Sequence, residues 1–343
     1  MRRIGSMQDA EAQHLALYNG SNLIRQVEEI KAKYKRNIHR VHDYLDAIMG
    51  FGDKQLLTGR VSCLAQMVAK AELYLPDGAF YRKKNTGRKS IERVYTKVNK
   101  QLLKVFDYDA FLRKNHECQG WGGAQLALLL AKKVKFCPYC NAETVESFEF
   151  RRDGKLCVAK TAFDHFYPRA RYPFLALSLY NLIPTCNRCN SKFKSDKISD
   201  LCNTYYPFAT KNEQTADFHD GMRFLLVPNK APRQSACDKE DFAGIVVAER
   251  HLGEYPQGIV HKKTFRLDEV YSKLYLQDAI DAYWKASKYP ESYIRTQYAL
   301  LKDCGMTQND LERLIYGAPL KRDEINSHRL GKLILDIVTT YKV

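Results

Sequence analysis

The chain has 343 residues, 55 Lys and Arg against 39 Asp and Glu, a formal charge of +16, and ten cysteines. That length suffices for two or three compact units. No run of about 18 apolar residues occurs, so a membrane-spanning helix is excluded. A positive field of this size attracts polyanions, nucleic acid foremost, through sequence-blind phosphate contacts. The opening MRRIGSM has two arginines but no apolar stretch, so it does not read as a secretory signal. Ten cysteines in such a chain point to a reducing, cytoplasmic setting.

Residues 1–135 read as a basic helical N-terminal region. Over Ser21–Asp46 the apolar positions Leu23, Ile24, Val27, Ile30, Tyr34, Ile38, Val41 and Leu45 step by threes and fours, which predicts one long helix. A second helix is predicted over Val61–Leu75, ended by Pro76-Asp77-Gly78. The densest basic stretch, Tyr81–Lys104, begins as loop and becomes helix over Ile91–Phe106. It is either a solvated face or a surface for nucleic acid or an acidic partner. A short apolar helix follows at Ala124–Lys133.

Residues 136–208 change character, with dense cysteine, aromatic, Asn and Pro. Phe148–Arg152 and Leu156–Lys160 read as strands joined by an Asp153-Gly154 hairpin turn. From 209 to about 260 the chain reads as irregular, with one strand at Ile245–Ala248. The tail reads as helices at Asp268–Ser287 and Glu291–Asp303, a third opened by a Thr307–Asp310 capping box and ended by Gly317, and a last over Arg322–Tyr341. His116, His219, His251 and His261 lack metal-ligand spacing and read as structural or exposed.

Two paired turns stand out. Cys137-Pro138-Tyr139-Cys140 and Cys186-Asn187-Arg188-Cys189 each place two thiols two residues apart. One such turn lets two thiolates converge on a tetrahedral ion, and two complete the shell. The expectation is structural Zn2+, because four thiolates leave no open position for chemistry. Between and after the turns lie Phe163-Asp164-His165-Phe166-Tyr167-Pro168, then Tyr180-Asn181-Leu182-Ile183-Pro184-Thr185, then Asn190-Ser191-Lys192-Phe193-Lys194. Each polar group sits at the edge of an apolar, strand-like run. The first two segments can pair as a hairpin, and the third can start a helix across them.

The pattern DHFYP…NLIPTCNRCNSKFK, preceded by CPYC, resembles HNH endonucleases of the zinc-knuckled, ββα-metal kind. It looks most like the HNH nuclease subunit of Septu-type bacterial anti-phage defence systems, which works beside an SMC-like ATPase. The specific match spans residues 136–208. The resemblance implies a mainly α chain with a small ββα-metal core, in which helical N-terminal and C-terminal regions (1–135 and 209–343, the latter opening with an irregular linker) flank the nuclease module. It implies that Asp164 and Asn190 ligate a catalytic Mg2+ or Mn2+, that His165 is the general base, and that Asn181 braces the loop orienting the His165 ring. Asn190 stands where the third motif letter is often His. The protein's metal ligands are then all oxygen, which suits magnesium or manganese.

Arg169, Arg171, Lys192 and Lys194 are either surface charge or phosphate contacts, and the second reading is favoured beside such a site. The expected activity is hydrolysis of DNA to 5′-phosphate and 3′-hydroxyl ends, as a defence effector with an ABC-like ATPase partner. The alternatives are an RNA (tRNA) nuclease and a zinc-stabilised nucleic-acid-binding module without catalysis. Oligomeric state is not readable from the sequence.

Overall fold

In the computed structural model, three separate antiparallel hairpins interrupt a mainly helical chain: β1 (Phe148–Arg152) with β2 (Lys155–Ala159), β3 (Ala162–His165) with β4 (Leu182–Thr185), and β5 (Met222–Pro228) with β6 (Phe242–Glu249). The structure describes residues 3–4, 6–36, 38, 40–77, 79, 90–113, 120–195, 197–214, 217–229, 239–250 and 253–342. The basic loop expected at 81–89 lies outside the described residues, as do His116 and His251. No helix among the described residues is long and apolar enough to cross a membrane.

The long helix expected over Ser21–Asp46 is two helices, Leu23–Lys31 and Val41–Met49. Between them the chain makes tight turns, with Lys33 N–H donating to Ile30 O and Ile38 N–H to Lys35 O, and Arg40 adopts φ 56°. Both helices bury apolar side chains in one core: Val27 and Ile30 on the first, Val41, Tyr44 and Leu45 on the second. The apolar spacing therefore carries on through the bend, because periodicity records which face is buried and not the direction of the chain. The helices Val61–Glu72, Ser90–Val105 and Gly123–Ala131 fall where they were expected.

Two tail helices are also shorter than their periodicity suggests, for a shared reason. Asp268–Ser287 is divided at Tyr275 into Leu267–Leu274 and Leu276–Lys288. The Tyr275 hydroxyl donates to Glu143 at 2.9 Å. Arg322–Tyr341 is a 3-10 segment, Arg322–Ser327, and a helix, Gly331–Tyr341, parted at Leu330 (φ 56°). The Leu330 N–H donates to Asn141 O at 3.0 Å. Both breaks fall where the tail bonds to residues just after the first cysteine turn. Thr307 and Asp310 form the expected capping box, and Gly317 ends that helix at φ 78°.

The stretch read as irregular holds the β5–β6 hairpin. Met222, Phe224 and Leu226 are buried, alternating with half-buried Arg223 and Leu225. That period-two signal was present, but its partner strand lies beyond residues 229–241. Asp336, on the last helix, accepts from Phe224 N–H (2.9 Å) and Arg250 Nη2 (2.7 Å), and is ion-paired with the fully buried Lys332. Lys332 also donates to Met222 O at 2.8 Å, so the tail is fastened to β5 by a satisfied buried network. One connected hydrophobic core runs from Ile4 to Val338 and joins all three stretches of the chain.

His14 ties the first helix to the middle of the molecule. Its Nε2 donates to Leu177 O at 2.7 Å, and its Nδ1 accepts from Trp121 Nε1 at 3.1 Å. The ring must be neutral to do both. Burial lowers its pKa from 6.5 to about 4. Between those values the unfolded chain takes up a proton that the folded chain refuses. This stabilisation is complete above pH 6.5 and is lost as pH falls towards 4. It amounts to on the order of 3 kcal/mol. The urea midpoint of the wild type should fall across that window, and His14→Gln, which can keep both bonds without titrating, should fall less steeply. Parallel slopes would refute this assignment.

Candidate functional site

The four paired cysteines converge. Their sulfurs lie within 4.8 Å of one another, and Cys140 Sγ is 3.9 Å from Cys186 Sγ. Four sulfurs at about 2.3 Å from one zinc stand about 3.8 Å apart, so this spacing fits the ion and is far too long for a disulfide. The first pair sits in a tight reversal: Cys137 N–H donates to Glu143 O, Val145 N–H to Lys135 O, and Asn141 N–H to Cys137 O. The second pair starts where β4 ends, and Cys189 N–H donates to Cys186 Sγ. Burial raises the Cys137 thiol, whereas hydrogen bonds from Cys137, Cys140 and Cys189 hold the Cys186 thiol far below its ordinary value. Four thiolates this close repel one another, and a divalent cation is what allows all four to ionise together. The donor set therefore fits a structural zinc, with every position taken by protein.

The tail encloses this centre. Tyr271 donates to Cys140 O at 2.5 Å, His261 Nε2 donates to Tyr139 O at 3.1 Å, and Phe265 stacks on Tyr139 at 4.4 Å. Asn141 Nδ2 donates to Ile325 O, and its Oδ1 accepts from Lys332 N–H. Buried His261 is accordingly structural.

β3 and β4 pair with Asp164 opposite Ile183 and His165 opposite Leu182. A π-helical segment, Arg188–Lys194, follows the second cysteine turn and packs along β3. Asn190 Nδ2 donates to Phe163 O at 3.2 Å, and Lys194 Nζ to His165 O at 2.7 Å. Residues four apart share a helix face, so the segment lies on the strand with Asn190 near one end and Lys194 near the other.

His165 is nearly buried, with Nε2 donating to Ala176 O at 3.0 Å and Tyr108 edge-on at 4.5 Å. A carbonyl can only accept, so in the neutral ring Nδ1 carries the lone pair. Asn181, fully buried, holds the loop that supplies this carbonyl. Its Oδ1 accepts from Tyr167 N–H at 2.8 Å, and its Nδ2 donates to Tyr167 O at 3.1 Å and Leu175 O at 3.0 Å. Its main chain accepts from Phe166 N–H. Every polar group of Asn181 is thus spent on the loop that aims the His165 ring.

Asp164 is buried and is reached by two groups that the sequence did not suggest. The Tyr139 hydroxyl, inside the first cysteine turn, donates to it at 2.8 Å. The Lys194 ammonium stands 3.1 Å from each carboxylate oxygen. Burial pushes the Asp164 carboxyl up, and the Lys194 charge and the Tyr139 bond oppose that push. Asp164, His165 and Asn190 line one polar cleft of about 230 Å³ together with Tyr108, Arg169, Ser191 and Ser195. Asn190 donates through Nδ2, so its Oδ1 is not used in that bond. Asp164 and Asn190 then offer oxygen donors of the type magnesium takes, with room for the waters it retains.

The four cations separate. Lys192 is exposed. Arg169 borders the cleft, paired with Asp109 at 3.1 Å and set over the Tyr108 ring at 4.9 Å. Lys194 is fully buried on Asp164, so it is no surface phosphate contact. Arg171 is likewise buried: it grips Glu72 through Nε and Nη2 at 2.7 and 2.6 Å and donates through Nη1 to Pro76 O and Asp77 O. A charge so placed cannot reach a phosphate outside. Arg171→Ala should destabilise the chain by about 1–3 kcal/mol by removing the bidentate donor from Glu72, which keeps the Tyr172 hydroxyl, and the donor to Pro76 O and Asp77 O. In nucleic-acid binding it should leave the salt dependence as in the wild type. A reduced salt slope with unchanged melting would reverse that placement.

No protein-family model, no curated protein and no solved structure matches this chain.

Proposed function

We propose that this chain is a divalent-metal-dependent nuclease of the HNH kind that hydrolyses phosphodiester bonds in the cleft between β3 and the segment Arg188–Lys194. The observation that carries the reading is the His165 ring, fixed through Nε2 on Ala176 O by a loop that Asn181 clamps at three points. That arrangement makes Nδ1 the acceptor, beside Asp164 and Asn190 in the same cleft. His165 takes the proton from the attacking water. Asp164 and Asn190 would hold the cation, which when bound would supply positive charge against the phosphate. Arg169, at the cleft rim, positions the backbone without reading sequence. Tyr139 and Lys194 fix the Asp164 carboxylate. The zinc centre holds Tyr139, β4 and the Asn190 segment in one frame.

DNA is the substrate favoured by the resemblance. RNA is its alternative, since the chemistry acts on the phosphodiester and no group described in the cleft reads the sugar. A role as an antiviral effector beside an SMC-like ATPase extends the same resemblance, and the sequence carries no phosphate-binding loop of its own. End-group analysis tests the reaction. Products should accept ligation at a 5′-phosphate and extension from a 3′-hydroxyl. Cyclic or 3′-phosphate ends would point to a different nucleophile and exclude this mechanism.

A further inference from the structure

The helix Ser90–Val105 has two unlike faces. Tyr95, Val98, Asn99 and Leu102 are buried, and the helix packs on the loop segment Pro173–Leu175. Beside that segment Asn99 Nδ2 donates to Arg171 O at 3.2 Å. The opposite face carries Arg93, Lys97, Lys100 and Lys104, all exposed. At about 100° per residue these four fall within about 60° of arc, one per turn, over about 16 Å. None is bonded to an acid among the described residues. Glu92, the acid of this helix, lies about 100° round from Arg93. Other helices of the chain set exposed cations three or four residues from an acid: Arg25 with Glu29, Arg266 with Glu269, Arg295 with Glu291. Here like charges repeat at those spacings, which opposes the helix while the face is bare.

The end of the stripe leads to the cleft. Phe106 N–H donates to Leu102 O at 2.8 Å and Tyr108 N–H to Phe106 O at 2.9 Å. The last turn thus runs into Tyr108, which lines the cleft and meets the His165 ring. From Lys104 to Tyr108 is four residues, at most about 14 Å. The two acids on that path are engaged: Asp107 caps Ala110 N–H at 2.8 Å, and Asp109 is paired with Arg169. A cleft of about 230 Å³ has room for one phosphodiester and its neighbours, so the rest of a long substrate must lie on the surface around it. One strand of a duplex carries a charge about every 3.4 Å, or about five along the stripe, enough to meet all four cations. We propose that this face of the helix Ser90–Val105 docks the phosphate backbone of the nucleic acid being cut, with Arg93, Lys97, Lys100 and Lys104 each pairing with a phosphate without reading sequence. This rests on the nuclease reading and names the surface that holds its substrate.

The test is fluorescence anisotropy over a salt series, on the full chain carrying His165→Ala to prevent cleavage, with a labelled DNA duplex of about 30 base pairs. Adding Arg93→Gln, Lys97→Gln, Lys100→Gln and Lys104→Gln together should lower the slope of log affinity against log salt by roughly 3–4, at about 0.9 per phosphate contact. At about 0.1 M salt, binding should weaken by at least about 30-fold. Lys97→Gln alone should lower the slope by about 1. A control that removes the same charge from exposed tail lysines, Lys273→Gln with Lys288→Gln, Lys302→Gln and Lys321→Gln, should lower it by less than about 1. Melting should not fall in the helix variant, since none of its four side chains is bonded. An unchanged slope, or an equal drop in the control, overturns the proposal. So does unchanged duplex binding with loss of an acidic protein partner. Cleavage by the wild type alongside an unchanged slope in the helix variant leaves the nuclease reading standing alone. A lowered slope with no cleavage by the wild type removes the nuclease reading and keeps the helix as a nucleic-acid surface.

Discussion

His165→Ala should lower phosphodiester hydrolysis by roughly 10²- to 10⁴-fold, the usual contribution of a positioned general base. The loss should appear in turnover more than in affinity, because the ring acts on water and not on the nucleic acid. The fold should survive. The ring bonds to Ala176 O, and the loop carrying that carbonyl is held independently by Asn181. Circular dichroism and zinc content should match the wild type. Added imidazole should restore part of the rate by supplying the missing proton acceptor in the space the ring vacates. A variant as active as the wild type, or one inactive only because it is unfolded, would remove His165 from this role.

Cys137→Ser should have a larger effect on the protein as a whole. The sulfur is buried at the meeting point of two turns that lie far apart in sequence. Structural zinc sites contribute about 10–16 kcal/mol of apparent binding free energy, against a typical folding stability of about 5–15 kcal/mol. Loss of one ligand should therefore remove both the metal and the cooperative fold. The expected results are near-stoichiometric zinc in the wild type by elemental analysis, little in the variant, and loss of a cooperative melting transition. Release of the first turn also frees Tyr139 from Asp164, so cleavage should be lost as well. A zinc-free variant that melts like the wild type would show that the cysteines do not hold the fold together.

The sequence made the two cysteine turns legible because thiolate spacing is local. It also placed Asp164, His165, Asn181 and Asn190, which meet through a short hairpin and the helix after it. Lys194 was readable in part: Asn190 and Lys194 are four apart, so one face must carry both, and if Asn190 meets β3 then Lys194 does too. The expectation of a phosphate contact at Lys194 missed that geometry. Tyr139 and Arg171 gave no such sign. Their partners, Asp164 and Glu72, lie 25 and 99 residues away, and nothing in spacing encodes those encounters. The broken helices err in the same way. Tyr275 and Leu330 interrupt continuous apolar patterns because each bonds to the turn near Asn141 and Glu143, a tertiary contact that overrides local preference. The β5 strand was hidden by the distance to its partner.

The cleft of Asp164, His165 and Asn190 is proposed to cut phosphodiesters with a divalent cation. Strand scission by the purified chain on supercoiled DNA and on labelled RNA, in magnesium or manganese and again with EDTA, tests it most directly. At least one substrate should be cut, with the scission abolished by EDTA and absent in His165→Ala. Scission that persists in EDTA and in the variant, or none on either substrate with either metal, would contradict it.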